Sequence, residues 1–171
     1  SKRSEAQRAL LASYPKPTIA CIRGFCLGGG MQVAMLTDMR FASDNSQFGI
    51  PAAKLGIAYG YDGLKHLVSL VGPSWARLIM YTGMRIDSAE ALRIGLVDRV
   101  LPDTELWNAT MEIAQTISGN APLCVTTEGN PACFASSVVT VNPSFCSGRD
   151  GRQWMDAVAI SAGTSSRRPR K

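Results

Sequence analysis

The chain has 171 residues, about the size of one domain that buries its own core. Apolar residues make up 46% and charged residues 18%, which excludes a disordered or low-complexity chain. The formal charge is +5, but four of the 18 basic residues lie within 167–171, and the remaining 14 nearly balance 13 acidic residues. We therefore predict a solvated basic tail and no nucleic-acid partner.

The sequence also argues against a membrane span and a metal site. No apolar run approaches the roughly 18 to 20 residues of a membrane span, and no charged-then-apolar leader follows Ser1. The five cysteines form no CxxC pair and the chain has one histidine, so a zinc site lacks ligands at usable spacing. We expect reduced thiols, no bound metal, no membrane partner and a cytoplasmic protein (mitochondrial matrix in a eukaryote).

The first predicted elements are a helix, a strand and a glycine turn. Apolar residues at helical spacing predict a helix over 4–14, which Pro15 ends. Residues 18–22 are almost entirely apolar and β-rich, as in a strand buried on both faces. Three glycines at 28–30 then lead into a predicted helix over 31–36.

The later pattern is clear to residue 120 and weak beyond it. We predict a strand over 39–42, a loop over 43–47, an irregular segment over 48–63, helices over 64–71 and from Ser74, a capping box at Asp87, a strand over 96–101 and a helix over 103–117. Beyond residue 120, a strand over 138–141 and a short helix over 152–160 are the only elements we predict.

The glycine turn is the strongest local signal for a binding site. The first amides of a helix have no intrahelical acceptor, and the helix dipole adds positive charge there. Glycine lets a ligand approach the backbone closely, which suits an anion or a carbonyl oxygen that becomes anionic. A tight strand–helix turn without a ligand is the alternative. A dinucleotide-binding motif is excluded because Val33 occupies its last glycine position.

Several motifs in order resemble the enoyl-CoA hydratase/isomerase family, the crotonase superfamily. The similarity covers about residues 4–122. The motifs are Lys16-Pro17-Thr18-Ile19-Ala20, Gly24, Leu27-Gly28-Gly29-Gly30, Asp38, Phe48-Gly49-x-Pro51, Leu55-Gly56, Leu70-Val71-Gly72, Tyr81-Thr82-Gly83, Ala89 to Ala91 and Gly95-Leu96-Val97.

The resemblance implies an α/β fold, the crotonase-like (ClpP/crotonase) ββα spiral. It implies that the chain is truncated at its N-terminus and corresponds to the C-terminal two-thirds of the family domain. We expect a core portion over 1–122 and a divergent, partly irregular tail over 123–171, where the family's usual helical ending is absent. The family also implies an acyl-CoA thioester as substrate, no cofactor since coenzyme A is part of the substrate, and a homo-oligomer, either a trimer or a hexamer.

The resemblance also implies which residues form the site. Two backbone amides bind the thioester oxygen in the family; one falls at Gly29, and the other belongs to a segment that precedes Ser1. The catalytic positions are expected at Gly29, Gln32 and Tyr59. The substrate-binding positions are expected at Leu27, Gly28, Ala52, Gly60 and Asp62.

Two departures from the family pattern change the expected chemistry. Family hydratases use two glutamates to position and deprotonate water, and those positions hold Gln32 and Ala52 here. A glutamine amide can hydrogen-bond water but cannot take its proton, so we predict that hydration is absent or very slow. The loop over 55–63 resembles that of methylmalonyl-CoA decarboxylases, in which a tyrosine stands at the position of Tyr59.

Three hypotheses follow from these departures. The chain belongs to an acyl-CoA enzyme that stabilises a thioester enolate, with malonyl-type decarboxylation through Tyr59 as one form of that chemistry. Alternatively, it is a catalytically silent binding or assembly subunit, or a fragment that does not fold alone. For Tyr59, the competing interpretation is a ring packed under the loop with its hydroxyl in water. Asp62 is either a proton-transfer carboxylate or an ordinary turn residue.

Overall fold

The computed structural model of the chain describes residues 8–14, 16–120, 137–140 and 156–161. The helices are 8–12 (α1), Gly29–Ala34 (α2), Ala52–Leu55 (α3), Tyr61–Thr82 (α4), Ser88–Arg93 (α5) and Asp103–Gly119 (α6). The strands are Ile19–Ile22 (β1), Phe25–Leu27 (β2), Met39–Ser43 (β3), Gln47–Gly49 (β4), Arg85–Asp87 (β5), Arg99–Leu101 (β6), Ser137–Thr140 (β7) and Asp156–Ser161 (β8).

The strands form two sheets built by a repeated ββα unit. β1 and β3 pair in parallel, with Ile19 opposite Met39, and β2 and β4 pair in parallel, with Phe25 opposite Gln47. The first strand of each unit joins the sheet β6-β3-β1-β8-β7, and the second joins the sheet β2-β4-β5. A helix follows each strand pair. This arrangement confirms the ββα spiral that the sequence implies.

Strand β1 is buried on both faces, as its composition predicts. Ala20 and Ile22 lie in the larger apolar cluster, whereas Ile19 and Cys21 lie in a second cluster with Leu106 of α6. All four residues of β1 are inaccessible to solvent. The strand has no polar face because an apolar cluster lies on each side of it.

The helix interruption at Gly72 and the cap at Asp87 are also confirmed. Gly72 lies inside α4 with φ 76° and ψ 166°, a conformation that a side chain disfavours, so α4 is two helical segments joined at this residue. The carboxylate of Asp87 accepts a hydrogen bond from the backbone N–H of Glu90 at 2.8 Å. This hydrogen bond caps the N-terminus of α5.

Some predicted boundaries were wrong, either because of local backbone conformation or because of strand pairing. α2 begins at Gly29, two residues earlier than predicted, since Gly28 has a positive φ of 54° and makes the turn alone. The segment over 96–101 forms a strand only at Arg99–Leu101. The segment over 43–63 contains β4, which pairs with both β2 and β5, and the short helix α3.

The predicted helix over 152–160 was wrong where the structure describes it. Asp156–Ser161 is a strand that pairs antiparallel with β1, Ile19 opposite Val158, and with β7. The β-branched residues of this segment favour a strand, and the pairing protects the apolar edge of β1. The strand predicted over 138–141 is confirmed at Ser137–Thr140. The rest of the 123–171 tail, including its basic end, lies outside the described residues.

A short hydrogen-bond network explains why Asp38 belongs to the sequence motif. Its carboxylate accepts hydrogen bonds from the backbone N–H and the hydroxyl of Thr18, each at 2.7 Å. The backbone N–H of Asp38 donates in return to the Thr18 hydroxyl at 3.0 Å. These bonds hold the starts of β1 and β3 together, so Asp38 has a structural role.

Gly49 is required by a close approach of β5. A Cβ atom at Gly49 would lie 2.7 Å from the carbonyl oxygen of Met84, which is backbone and cannot move aside cheaply. We expect Gly49→Ala to lower the free energy of unfolding by about 1–3 kcal/mol in urea denaturation. Gly119→Ala is the matched control, because a Cβ there meets nothing within 4 Å. Equal stability of the two variants would contradict this interpretation.

None of the helices in the described part of the chain combines the length and apolarity that crossing a membrane requires.

Candidate active site

The glycine turn between β2 and α2 leaves the Gly29 amide free at the start of the helix. The N–H of Gly28 donates to the carbonyl of Gly49 at 2.9 Å, and the carbonyl of Gly28 accepts from the N–H of Gln32 at 3.0 Å. These two bonds hold Gly28 at φ 54° and ψ −111°. Gly29 is exposed, and no described residue accepts a hydrogen bond from its N–H. The amide can therefore bind an external acceptor.

The open space around this turn also suits a ligand. A Cβ added at either Gly28 or Gly29 would meet no atom within 4 Å. Because α2 begins at Gly29, the positive end of its dipole lies at this amide. The arrangement favours an oxygen atom that carries or gains negative charge.

The side chain of Gln32 comes together with Tyr59 over Gly63. A Cβ atom at Gly63 would lie 2.8 Å from Nε2 of Gln32 and 2.7 Å from Cε1 of Tyr59. Gln32 is one helical turn beyond Gly29, and side chains of a helix lean toward its N-terminus. We therefore expect the Gln32 carboxamide, and the Tyr59 ring that approaches the same point at Gly63, to lie toward the Gly29 end of α2.

The Tyr59 hydroxyl is buried and has no hydrogen-bond partner among the described residues. The ring is half-buried and packs against the larger apolar cluster. Burial raises the pKa of this hydroxyl to about 12; the nearby Cys26 thiol adds to the shift and Arg8 opposes it. Tyr59 is thus a neutral hydrogen-bond donor at neutral pH. The interpretation that placed its hydroxyl in water was wrong, because the ring tucks inward against the cluster.

The comparisons with known proteins agree with this architecture. The family model for enoyl-CoA hydratase/isomerase matches residues 1–129. The chain belongs to this family. One relative is the short-chain-enoyl-CoA hydratase of Clostridium acetobutylicum, 47% identical over 110 residues, which are 64% of this chain and 42% of that protein. Another is the crotonyl-CoA hydratase of Syntrophomonas wolfei, 42% identical over 116 residues, which are 68% of this chain and 45% of that protein.

Solved structures of family members share the fold. The enoyl-CoA hydratase of Bacillus anthracis has a TM-score of 0.70 at 34% identity. The superposition covers 72% of this chain and 48% of that protein. The Pseudomonas aeruginosa protein DspI has a TM-score of 0.68 at 31% identity, and the superposition covers 72% of this chain and 50% of DspI. The predicted family and crotonase-like fold are confirmed. The chain spans less than half the length of the curated relatives named above.

The other predicted site residues of this family member lie on β2, on α3 and at the start of α4. Ala52 is the first residue of α3 and packs in the larger apolar cluster with Tyr59. Leu27 ends β2, and its Cδ2 lies 3.5 Å from where a Cβ of Gly49 would be. Gly60 is exposed just before α4, and Asp62 is exposed in its first turn. Their roles in binding remain predictions.

Three neighbours of the site were not predicted from the sequence: Gly63, Cys26 and Arg8. Gly63 lies at the end of the segment predicted to be irregular, over 48–63, and nothing in the local sequence indicates that its missing side chain makes room for two others. Cys26 lies in the middle of β2 with no exposed surface. Arg8, in α1, lies close enough to influence the Tyr59 hydroxyl. In the described part of the chain, no group of three or more potential metal-ligating residues occurs.

The buried Tyr59 hydroxyl should make stability depend on pH in alkaline solution. The folded-state pKa of about 12 exceeds the ordinary value of 10.0, so the folded chain holds this proton more tightly than the unfolded chain. The associated stability is fully present below pH 10 and is lost as the pH rises toward 12. We expect Tyr59→Phe to reduce this alkaline loss, measured as the free energy of unfolding at pH 8 to 12.

Tyr81→Phe is the control for this prediction, because the Tyr81 ring is 76% exposed. Removing the unpartnered Tyr59 hydroxyl should also raise the free energy of unfolding at neutral pH by about 1 kcal/mol. If Tyr59→Phe follows the same alkaline stability curve as Tyr81→Phe, the prediction is wrong.

Proposed function

We propose that the chain belongs to an enzyme that binds an acyl-CoA thioester and stabilises the enolate of that thioester. In this proposal the Gly29 N–H donates a hydrogen bond to the thioester oxygen. The observation that carries it is the exposed Gly29 amide, whose N–H donates a hydrogen bond to no described residue. A thioester enolate concentrates negative charge on that oxygen, so a fixed amide at a helix start stabilises the transition state more than the ground state.

The side chains at positions 32 and 52 favour enolate chemistry over hydration. Gln32 offers an amide and Ala52 a methyl group at the positions where the family resemblance implies glutamates. Neither can remove a proton from water at neutral pH. We propose that the reaction is a lyase or isomerase step that does not depend on those two carboxylates. It needs no cofactor, since coenzyme A arrives as part of the substrate.

A second candidate function is decarboxylation of a malonyl-type acyl-CoA. The bond between the carboxylate carbon and the α-carbon breaks, its electron pair forms the enolate, carbon dioxide leaves, and the α-carbon then takes a proton. The Gly29 N–H would donate a hydrogen bond to the enolate oxygen. The neutral hydroxyl of Tyr59 would orient the departing carboxylate. The observation that favours this candidate is that this hydroxyl has no hydrogen-bond partner among the described residues.

Calorimetry and mass spectrometry test both candidates. We expect acetyl-CoA to bind the chain in a saturable titration and to bind more tightly than free coenzyme A. The absence of any acyl-CoA binding by a folded chain would contradict the proposal. Incubation with malonyl-CoA and with crotonyl-CoA, followed by mass spectrometry, identifies the reaction. Decarboxylation that Tyr59→Phe slows supports the second candidate, and binding without turnover of either ester indicates a catalytically silent subunit.

We also propose that the protein assembles as a homo-oligomer, a trimer or a hexamer. Large apolar side chains lie on the surface between α3 and the start of α4: Leu55, Ile57 and Tyr61 are 63%, 61% and 77% exposed. Exposed apolar groups this close together are typical of an interface. Analytical ultracentrifugation should give a trimer or a hexamer, and a monomer at high concentration would contradict the assembly.

A further inference from the structure

Gly63 is a buried helical glycine whose neighbours leave no room for a side chain. Its backbone is ordinary, because its φ is not among the positive values found at Gly28, Gly56 and Gly72. A Cβ atom would lie 2.7 Å from Cε1 and 3.1 Å from Cζ of Tyr59, and 2.8 Å from Nε2 of Gln32. A side chain at this position would therefore displace Gln32 or Tyr59, although the backbone conformation itself accepts any residue.

The two groups that fill this space come from different elements. Gln32 belongs to α2, which begins at the free Gly29 amide, and Tyr59 belongs to the segment that precedes α4. Each contacts Gly63 through the end of its side chain. The first turn of α4 therefore forms a surface on which the Gln32 carboxamide and the Tyr59 ring are held side by side.

We infer that Gly63 is a positioning residue: the absence of its side chain fixes the Gln32 carboxamide and the Tyr59 ring relative to the group that Gly29 binds. This inference rests on the proposed acyl-CoA function. Gly63 has no chemistry of its own and acts through Gln32 and Tyr59. A methyl group at Gly63 would displace one or both of them, and a small displacement of a contacting group is costly in a preorganised site.

The first test is spectroscopic and needs no ligand. The side-chain amide of Gln32 and the Tyr59 ring approach the same point at Gly63, so the ring current should shift the NMR resonances of the Gln32 amide protons. The resonances are assigned by their loss in Gln32→Ala. We expect them to move in Gly63→Ala and in Tyr59→Leu but not in Gly119→Ala, an exposed helical glycine without neighbours within 4 Å. Unchanged Gln32 resonances in Gly63→Ala would overturn the inference.

The second test is a double-mutant cycle on acetyl-CoA affinity. We expect Gly63→Ala to weaken binding by about tenfold in the unaltered chain. In the Gln32→Ala, Tyr59→Leu background the same change should have little further effect, because the groups it displaces are gone. An equal loss of affinity in both backgrounds would overturn the inference, since Gly63 would then act independently of these two side chains.

The outcomes separate this inference from the proposed function. If acetyl-CoA does not bind the unaltered chain, the proposed function fails, while the ligand-free NMR comparison still decides whether Gly63 positions Gln32. If Gly63→Ala alone does not fold, Gly63→Ala in the Gln32→Ala, Tyr59→Leu background should fold, because the contacts that exclude a methyl group are removed. Failure of that triple variant to fold, where the Gln32→Ala, Tyr59→Leu variant folds, would overturn the inference.

Discussion

Replacing both Gln32 and Ala52 by glutamate should raise the rate of crotonyl-CoA hydration by at least about 10²-fold. Gln32 lies one turn beyond the Gly29 amide, and Ala52 begins α3 within the same apolar cluster that Tyr59 packs against. Glutamates at these two positions would supply the general base and general acid that an amide and a methyl group cannot. Loss of absorbance of the enoyl thioester measures the rate.

The control for this prediction places the same charge outside the site. Ala53 follows Ala52 in α3 and is exposed, so Gln32→Glu with Ala53→Glu has the same composition as the test variant. Only the pair at 32 and 52 should gain activity. Hydration by the unaltered chain at the rate of the double-glutamate variant would contradict the account, because catalysis would then not depend on these carboxylates.

Replacing Arg40 by methionine should lower the free energy of unfolding by about 2–4 kcal/mol, since it leaves buried acceptors without their donor. Arg40 is 4% exposed and its guanidinium donates to three oxygens: the carbonyl of Thr37 at 2.7 Å, the carbonyl of Leu96 at 3.0 Å and the carboxylate of Asp98 at 3.1 Å. Burial lowers the pKa of Arg40, and Asp98 only partly offsets this cost. Methionine would fill most of the volume but leave the three acceptors without this donor.

Urea denaturation measures the loss, with Arg77→Met as the control. Arg77 is exposed on α4, and a surface substitution of this kind changes stability by less than about 0.5 kcal/mol. Asp98 is half-exposed, so Asp98→Asn should cost less than Arg40→Met. Equal stability of Arg40→Met and Arg77→Met would show that the buried guanidinium does not hold β3 to the segment before β6.

Elements whose signals are local were predictable from the sequence. The apolar run of β1, the turn at Gly28 and the helix interruption at Gly72 each depend on a few consecutive residues. The free amide of Gly29 follows from that same turn, whereas its role as the donor to a thioester oxygen comes from the family resemblance and stays a prediction. Some element boundaries shifted because strand pairing defines a segment, as at β4, and α2 begins earlier than predicted because Gly28 makes the turn alone.

Features formed by distant residues were not predictable. The strand Asp156–Ser161 depends on pairing with β1, more than a hundred residues earlier in the chain. The partner of Arg40, Asp98, is 58 residues away. Likewise, the approach of Gln32 and Tyr59 to Gly63 joins three segments, and no local pattern signals it. A single sequence gives the types of residue but not these distances.

The central claim is that the Gly29 N–H binds the oxygen of an acyl-CoA thioester, and deleting that N–H tests it most directly. Proline is tolerated at the first position of a helix, which Gly29 occupies, and has no N–H. Gly29→Ala keeps the N–H, and its Cβ meets no atom within 4 Å. Circular dichroism and thermal unfolding establish that both variants are folded.

The measurement compares acetyl-CoA with a thioether analogue in which a methylene group replaces the carbonyl. The unaltered chain and Gly29→Ala should prefer acetyl-CoA by about tenfold in calorimetric titrations. Gly29→Pro should bind the two ligands equally. If folded Gly29→Pro still prefers acetyl-CoA by the same factor, the oxygen is bound elsewhere and the account is contradicted.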